Sequence, residues 1–561
     1  MFCRRLLSFF APVLSVFLLT IANSANAQTA LRPFPQTKDY VGKIKPNHVS
    51  QSQLNANIAS YFSYWKTTHV RQSNGVTPGG GYYVSMKGVG GTGTEITTSE
   101  AHGYGMILFA LMAGYDVEAK KYFDGMFNMY DKHRSTGNSN LMSWIIDQSE
   151  SASADSASAT DGDMDIAYAL LLAHYQWGSS GAINYLSHAK RIINLGLKGS
   201  SVNLTSKRTT LGDWDQSVWS TRSSDWMTGH MHAYFHATGD LFWNDVADTA
   251  YGLIDAITLN YASGTGLMPD FVVATPPKPA SAYFLEAATD GQYSWNACRY
   301  PLRIAMDSAH FQNLKAKKAM TKLVGWIENA TAGQPSGILA GYQLNGAPLV
   351  GYNDMAFTAP LTAAATVADG DHQAFVNRGW NLMAASKGSY YDDSINLLSM
   401  LFVSGNWWAP VDATGSEPVP APPPPPEPTP VPTTIVAKAS SDDGIHFAQY
   451  TLDGSLAPES RWSANGYGQW VEYDLGQTKT VAAVDIAFYL GNQRRYSFDI
   501  YAGSTKSNLT RVFSGRSSGA SLNLQRFDFR DRTARYVRIV GYGNNSNRSN
   551  ALTEVKIITA P

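Results

Sequence analysis

The chain is short of cysteine and of charge. Its 561 residues include two cysteines, and Cys3 lies in an N-terminal segment whose make-up marks it for removal. Cys298 is then alone, so no disulfide can form within the mature chain, and stability must come from core size. Charged residues are 16% of the chain, and 43 Lys plus Arg against 44 Asp plus Glu give a formal net charge of -1. That balance lacks the basic surplus expected of a protein that binds nucleic acid or an anionic membrane. Beyond residue 27 no apolar run is long enough to cross a bilayer, so no membrane insertion is expected. Metal ligands are sparse too. His230, His232 and His236 have helical spacing, but there is no His-Glu-x-x-His pair, Walker loop or dinucleotide fingerprint. No cofactor is expected for catalysis.

Aromatic residues, by contrast, reach 12%, and there are 48 glycines. Such a supply of rings suits a flat, uncharged ligand as well as a large helical core. Residues 1–27 join Arg4 and Arg5 to an apolar stretch and a small-residue end at Ala25-Asn-Ala27, the pattern of a secretory signal peptide. A secreted protein is expected, extracellular or periplasmic. Residues 414–437 form a proline-rich linker, in which proline density precludes helix and central strand and favours extended polyproline II. At roughly 3.1 Å per residue its densest part makes a semi-rigid spacer on the order of 50 Å. It separates a segment at 30–413 from one at 438–561.

The larger segment reads as helices with apolar residues three and four apart: Ser99–Tyr115, Asp163–Trp177, Asn184–Leu197, Phe242–Ile257 and Asn396–Trp407. Loops rich in Gly, Ser, Thr and Asp lie between them and are free to form a cleft. The smaller segment alternates as β-strands do, at Gln469-WVEYDLG, Val481-AAVDIAFYL, Tyr496-SFDIYAG and Arg535-YVRIVGYG, which predicts a β-sandwich.

Acidic residues mark two helix starts. Asp161, Asp163 and Asp165 alternate in Ala159-TDGDMD, where any one of them could satisfy helix N-terminal N–H groups, yet a cap needs only one. Glu100 opens another helix ahead of Gly103 and Gly105, glycines that imply close approach of a backbone or a bulky ligand. A half-buried carboxyl there would hold its proton to a raised pKa and act as a general acid.

The stretch Ala159-Thr-Asp-Gly-Asp-x-x-Ile-Ala-x-Ala-Leu-Leu-x-Ala-x-x-x-Trp177 resembles the signature of glycoside hydrolase family 8. Ser99-Glu-Ala-His-Gly-Tyr-Gly-Met, Thr221-Arg-Ser-Ser-Asp-Trp-Met and Trp295-Asn-Ala-Cys-Arg-Tyr-Pro-Leu-Arg303 follow the same family's order. The resemblance implies an all-α (α/α)6 barrel and inverting hydrolysis of β-1,4-linked polysaccharide. It places the proton donor at Glu100 and a sugar-contacting carboxylate at Asp161. The usual base position is Asn296, whose amide cannot take a proton from water. The resemblance therefore narrows to a subgroup whose base is an upstream glutamate, Glu286, with Asp290 the less favoured substitute. Inversion needs these carboxyls about 6.5 to 9.5 Å apart, leaving room for the attacking water. Asn296 and Arg299, one helical turn apart, together with Trp144, Trp214, Tyr283, Tyr390 and Tyr391, are expected to contact substrate. Cys298 is expected to be packing.

Within this subgroup chitosan is the expected substrate, with licheninase or endo-1,4-β-glucanase activity the alternative. A polycationic chain would favour acidic cleft loops, for which Asp147, Glu150, Asp155, Asp213 and Asp215 are candidates. A non-catalytic polysaccharide-binding protein and a lyase are the competing classes, both disfavoured by the acidic constellation. A monomer is expected.

The smaller segment is similar to discoidin-like (F5/8 type C) carbohydrate-binding modules, on Leu452-Asp-Gly454, Ser460-Arg-Trp-Ser463, Gly468-QWVEYDLG and Leu552-Thr-Glu-Val555. The resemblance implies a jelly-roll β-sandwich, a structural calcium held by Asp453 and Glu554, and a sugar-contacting surface including Tyr489, Arg495, Tyr542 and Asn544. Trp462 is expected in its core.

Overall fold

The computed structural model describes residues 29–73, 80–87, 93–150, 156–411 and 435–559. The expected signal segment, nearly all of the expected linker and Asp155 lie outside them. Twelve α-helices are found among the described residues: α1 (Gln51–His69), α2 (Ser99–Met112), α3 (Ala119–Lys132), α4 (Thr160–Trp177), α5 (Tyr185–Arg191), α6 (Thr228–Thr238), α7 (Phe242–Tyr261), α8 (Tyr300–Phe311), α9 (Leu314–Ala330), α10 (Met355–Ala365), α11 (Gln373–Ala385) and α12 (Tyr390–Val403). The even-numbered helices pack each on the next, and α12 returns to α2, closing an inner ring. Each odd-numbered helix packs outside an even-numbered one: α1 on α12, α3 on α2, and so on around to α11 on α10. This is an (α/α)6 barrel.

The two rings differ in sequence as burial requires. In α4 every residue except His174 and Tyr175 is buried, so the helix is apolar nearly all round below its acidic first turn. Outer helix α9 instead buries Ala316, Met320, Leu323, Val324 and Ile327, a single stripe with lysines opposite. Inner helices α2 and α4 approach closely at two glycines. A Cβ at Gly103 would stand 2.5 Å from the Asp165 Cβ, and one at Gly162 2.5 Å from the Ser99 carbonyl carbon. The glycines of α2 thus serve helix packing, with Gly105 against Val84 and Met126, and the bulky-ligand alternative falls.

Some boundaries differ from expectation. The helix expected to run to Leu197 leaves α-helical bonding at Arg191 and continues as wider π turns through Ile192–Ser201, kinked at Lys198 and Gly199. Helix α12 starts six residues before Asn396, because Ser389 and Asp392 form a reciprocal capping box.

Short strands brace the barrel's loops: β1 (Val70–Gln72) with β2 (Tyr82–Val84), β3 (Glu95–Thr98) with β4 (Ile145–Asp147), and β5 (Thr221–Arg222), β6 (Phe271–Val273) and β7 (Lys278–Pro279) in one sheet. The C-terminal module is all β: β8 (Val436–Ala439), β9 (Trp462–Asn465), β10 (Gln469–Phe488), β11 (Tyr496–Gly503), β12 (Thr510–Arg516), β13 (Gln525–Asn544) and β14 (Ser549–Thr559). They are ordered β12-β11-β13-β10-β14-β9, with β8 also on β10, and every pairing is antiparallel. The long β10 and β13 serve both layers of this jelly roll around Trp462, Tyr473, Ile486 and Phe498.

Candidate active site

The N-terminal ends of the inner helices gather at one end of the barrel, where unpaired N–H groups favour anions. Glu100 lies in the first turn of α2 and Asp161 in the first turn of α4. Asp354 caps α10, accepting from Ala356 N–H, and Tyr390 is the first residue of α12. Asn296 and Arg299 occupy a tight turn ahead of α8, anchored by Asp270, whose Oδ1 accepts the N–H groups of Ser294, Asn296 and Ala297. These residues line a cavity of about 800 Å³ together with Trp144, Trp214, Arg222, Leu285, Glu286, Trp295 and Tyr391.

Two arginines organise it. Arg299 Nη1 donates to Glu100 and, at 2.7 Å, to Asp161 Oδ2; Nη2 donates to Asn296 Oδ1 at 3.0 Å and Ser224 Oγ at 3.2 Å. Arg222 Nη2 donates to Glu286 Oε1 at 3.0 Å, and its Nη1 stands 3.9 Å from Asp161. Asn296 Nδ2 donates to the other oxygen, Glu286 Oε2, at 2.8 Å. An unbroken chain of polar contacts therefore runs Glu100–Arg299–Asn296–Glu286. Because Arg299 takes its oxygen, the Asn296 amide must turn its NH2 toward Glu286. Asn296 thus contacts the base candidate.

Burial sets the charges apart. It pushes the Glu100 carboxyl up to about 7, with the charge of Asp161 adding and that of Arg299 only partly opposing. Asp161 is also penalised by burial, but Arg299, Arg222 and the Gly162 N–H more than reverse the penalty and hold it below its ordinary value. Near neutrality one carboxyl keeps its proton and its neighbour is an anion, the division that acid catalysis needs.

Glu286 sits on a turn held from beneath. Asp290, 1% exposed, accepts the N–H groups of Leu285 and Glu286 at Oδ2 and of Ala287 at Oδ1. Its carboxylate shapes the loop, while the Glu286 side chain is 45% exposed at the cleft. Tyr283 bends the same loop with φ 56°. It is 76% exposed and does not line the cavity, unlike Trp144, Trp214, Tyr390 and Tyr391. Tyr391 donates to the Trp295 carbonyl. Cys298 is buried beside it, and burial pushes its thiol up, as a packing residue requires.

The acidic trio separates by partner. Asp163 Oδ1 accepts Met142 N–H and braces that loop. Asp165 is bound by Arg303 and His230, side chains of α8 and α6, so it is a buried ion-pair centre and does not take up helix N-terminal N–H groups. Of the loop acids expected to attract a cationic chain, Asp213 accepts the N–H groups of Asn138 and Ser158, Asp215 those of Leu211 and Ser217, and Asp147 that of Ser149. Glu150 is buried. None of these four lines the cavity.

Sequence reading missed Arg222, Asp225 and Trp295. Asp225 is fully buried, and burial pushes it up to about 7 despite nearby Arg222. All three stand in the quoted segments around Thr221 and Trp295, which was the available signal.

In the module, Asp453 and Glu554 come together: Gly454 N–H donates to Glu554 Oε2 at 3.1 Å, and Asp453 accepts from Ser455 N–H and the Ser460 hydroxyl. Among the described residues no group of three or more His, Cys, Asp or Glu is placed to hold a metal. Tyr489 and Arg495 lie on one connection, but Tyr542 turns its hydroxyl to Asp499, and Asn544 bonds Asn547 and Ser549 within its own turn.

An (α/α)6 barrel whose cleft pairs a proton-holding carboxyl with an exposed carboxylate across two arginines, with aromatic walls, defines a polysaccharide hydrolase. Comparison with known proteins agrees. Residues 47–405 match the family model "Glycosyl hydrolases family 8", and residues 450–539 match "NedA-like, galactose-binding domain". An "Endoglucanase" of Bacillus sp. (strain KSM-330) is 43% identical over 399 residues, 70% of this chain and 85% of that protein. A "Beta-glucanase" of Niallia circulans is 43% identical over 399 residues, 70% of this chain and 95% of its own length. The solved apo structure of a β-1,3-1,4-glucanase from Paenibacillus sp. X4 is 42% identical with a TM-score of 0.64, covering 67% of this chain and 99% of that one. The chain belongs to glycosyl hydrolases family 8 and is a glycoside hydrolase carrying a C-terminal F5/8 type C module.

Proposed function

We propose that the protein is a secreted, inverting endo-β-glucanase that cleaves β-1,4 bonds in β-1,3-1,4- or β-1,4-glucan, in preference to the chitosan first expected. The observation that carries this reading is the engagement of Asp147, Asp213 and Asp215 with backbone N–H groups and the burial of Glu150. The two arginines hold Glu100, Asp161 and Glu286. Among the described residues the other two acids lining the cavity, Asp354 and Asp392, cap helix starts, at the Ala356 N–H and with Ser389. The ring faces beside them suit a neutral chain. The three relatives bear glucanase names.

In this mechanism Glu286 takes a proton from a water on one face of the sugar, its two oxygens steered by Arg222 and Asn296. Glu100 delivers its proton to the leaving oxygen on the other face, and water attack inverts the anomeric carbon. Asp161, held ionised by both arginines, contacts the sugar at the cleavage point and stabilises developing positive charge. Trp144, Trp214 and Trp295 stack on flanking sugars.

The module would hold the enzyme on insoluble polymer and raise its local concentration there. Asp453 and Glu554 supply oxygens suited to calcium. Burial and the charge of Asp453 push Glu554 up to about 7, a penalty that a bound cation would relieve. Chelation should then lower the module's melting temperature.

The substrate test is reducing-sugar release from lichenan, carboxymethylcellulose and chitosan side by side. The reading expects turnover on the glucans and, on chitosan, a rate lower by about tenfold or more. A chitosan rate equal to or above that on lichenan would overturn it.

A further inference from the structure

Two buried rings of the module belong to neither large hydrophobic core. Phe447 is 7% exposed and Tyr450 9%, and their rings stand 5.8 Å apart at the short turn Ala448–Leu452. The packing around Trp462 takes Ala448 from that turn and leaves both rings out. What covers them is the barrel. Asn194 Nδ2 donates to the Tyr450 hydroxyl, and the Lys190 ammonium lies 5.7 Å from the Tyr450 ring centroid. The Lys198 ammonium lies 5.1 Å from the Phe447 centroid and 4.9 Å from that of Phe242, while pairing with Asp240 at 2.6 Å. Between the two rings, Gln449 Nε2 donates to the Thr238 carbonyl. The next barrel residue, Gly239, ends α6 with φ 71°, and a Cβ there would stand 3.2 Å from that amide. Burial pulls the Lys190 ammonium below its ordinary value, and Asp453 of the module opposes the shift.

We infer that this face is a built docking surface: Phe447 and Tyr450 seat the module on the π-helical segment Ile192–Ser201, and barrel and module act as one body in solution. Lys190, Asn194 and Lys198 are spaced by four. On a regular α-helix such a row drifts round by about 80° over eight residues, and the wider turns that begin at Ile192 offset that drift. The departure from α-helical bonding thus lets all three side chains meet the module. Ammonium groups over ring faces and an amide on the phenol suit aromatic partners with a polar tip. Undocked, the two rings would return about 150 Å² or more each to water. Behind the segment lies the cleft. Leu195 O and Ser200 Oγ accept from Asn138 Nδ2 at 2.8 and 2.9 Å, and Asn138 N–H donates to Asp213, next to Trp214 of the cavity wall. Docking therefore sets the module one loop behind that wall with a fixed bearing on the cleft. A spacer of the length read from the sequence would instead allow a separation on the order of 50 Å. The inference is independent of which glucan is cut.

The test is small-angle X-ray scattering of the full-length protein beside Tyr450→Ala and Lys190→Glu. Docked, a body of this size should have a radius of gyration of about 24–27 Å, and two domains held apart by the linker should exceed it by roughly 5–15 Å. The inference expects the parent at the smaller value and both variants larger by about 5 Å or more. Tyr450→Ala removes a seated ring. Lys190→Glu sets a like charge toward Asp453 from the barrel side, a change outside the module's own fold, so its expansion cannot come from an unfolded module. Unchanged turnover of soluble lichenan in both variants shows the barrel intact. A parent already at the larger radius, or Lys190→Glu as compact as the parent, would overturn the inference. Lichenan hydrolysis is read separately, so failure here leaves the glucanase reading standing, and failure on lichenan leaves the docking standing.

Discussion

Replacing Arg299 by glutamine removes the cation that joins the acid to its neighbour. Arg299 is 3% exposed and Asp161 4%, and their contact is 2.7 Å. Breaking a buried pair by removing one partner costs about 3–5 kcal/mol, because the remaining charge is stranded. Glu100 can escape by holding its proton, since burial already lifts it to about 7. Asp161 keeps a cation nearby in Arg222, whose Nη1 stands 3.9 Å away, and so is only partly stranded. The lower end of the range, about 3 kcal/mol, is therefore expected. For a domain this large, with an unfolding entropy of about 2.1 cal/mol/K per residue, that is a fall in Tm of roughly 4 °C. The pH dependence has a definite sign. The depressed pKa of Asp161 contributes stability that is present above its unfolded value and lost as pH falls through the folded one. The raised pKa of Glu100 does the reverse: its contribution is present below the unfolded value and lost as pH rises through about 7. The gap between parent and Arg299→Gln should thus be widest near pH 8, with both carboxyls charged, and narrow toward acid as they take up protons. Scanning calorimetry across that range checks it. A gap within about 1 °C at all pH values, or one that widens toward acid, would refute the reasoning.

Since Glu100 must carry a proton to act, kcat/KM on lichenan should fall along an alkaline limb centred near about 7, and Glu100→Gln should lose on the order of 10²-fold in rate together with that limb. Asp290→Ala frees three N–H groups beneath the base loop. It should lower kcat with little change in KM, whereas Asp290→Asn, which keeps an acceptor, should retain more of the rate; an Asp290→Asn variant as inactive as Glu286→Gln would move the base to Asp290. Gly103→Ala should destabilise by about 1–3 kcal/mol by overpacking α2 against α4, read as a lowered Tm with the alkaline limb unmoved.

The helical class of the barrel was legible in the apolar spacing of five segments, that of α4 among them, and its ring arrangement only through the family resemblance, while outer helix α9 was not read. Glu100, Asp161 and Arg299 were also legible, each standing at a helix start within a recognisable segment. What was hidden were contacts between distant segments. Arg222 meets Glu286 across 64 positions, and nothing local to either residue announces the pair. Asp165 looked like a helix-start acid, yet its partners come from α6 and α8. The acidic loops misled for a similar reason. In sequence, an aspartate that binds backbone N–H groups and one that faces a ligand look alike, so Asp213 and Asp215 suggested a cationic substrate although their oxygens point into the loops. Boundaries failed where local chemistry beat periodicity, as in the capping box that starts α12 at Tyr390.

The central claim is that Glu286 activates water against a β-linked chain while Glu100 protonates the leaving oxygen. Proton NMR of the first sugars released from a cello-oligosaccharide, taken before mutarotation, tests it most directly when run on the parent and on Glu286→Gln. The account predicts α-configured product from the parent and a rate lower by on the order of 10²-fold or more for the variant. Initial β product, or near-parental turnover by Glu286→Gln, would contradict it.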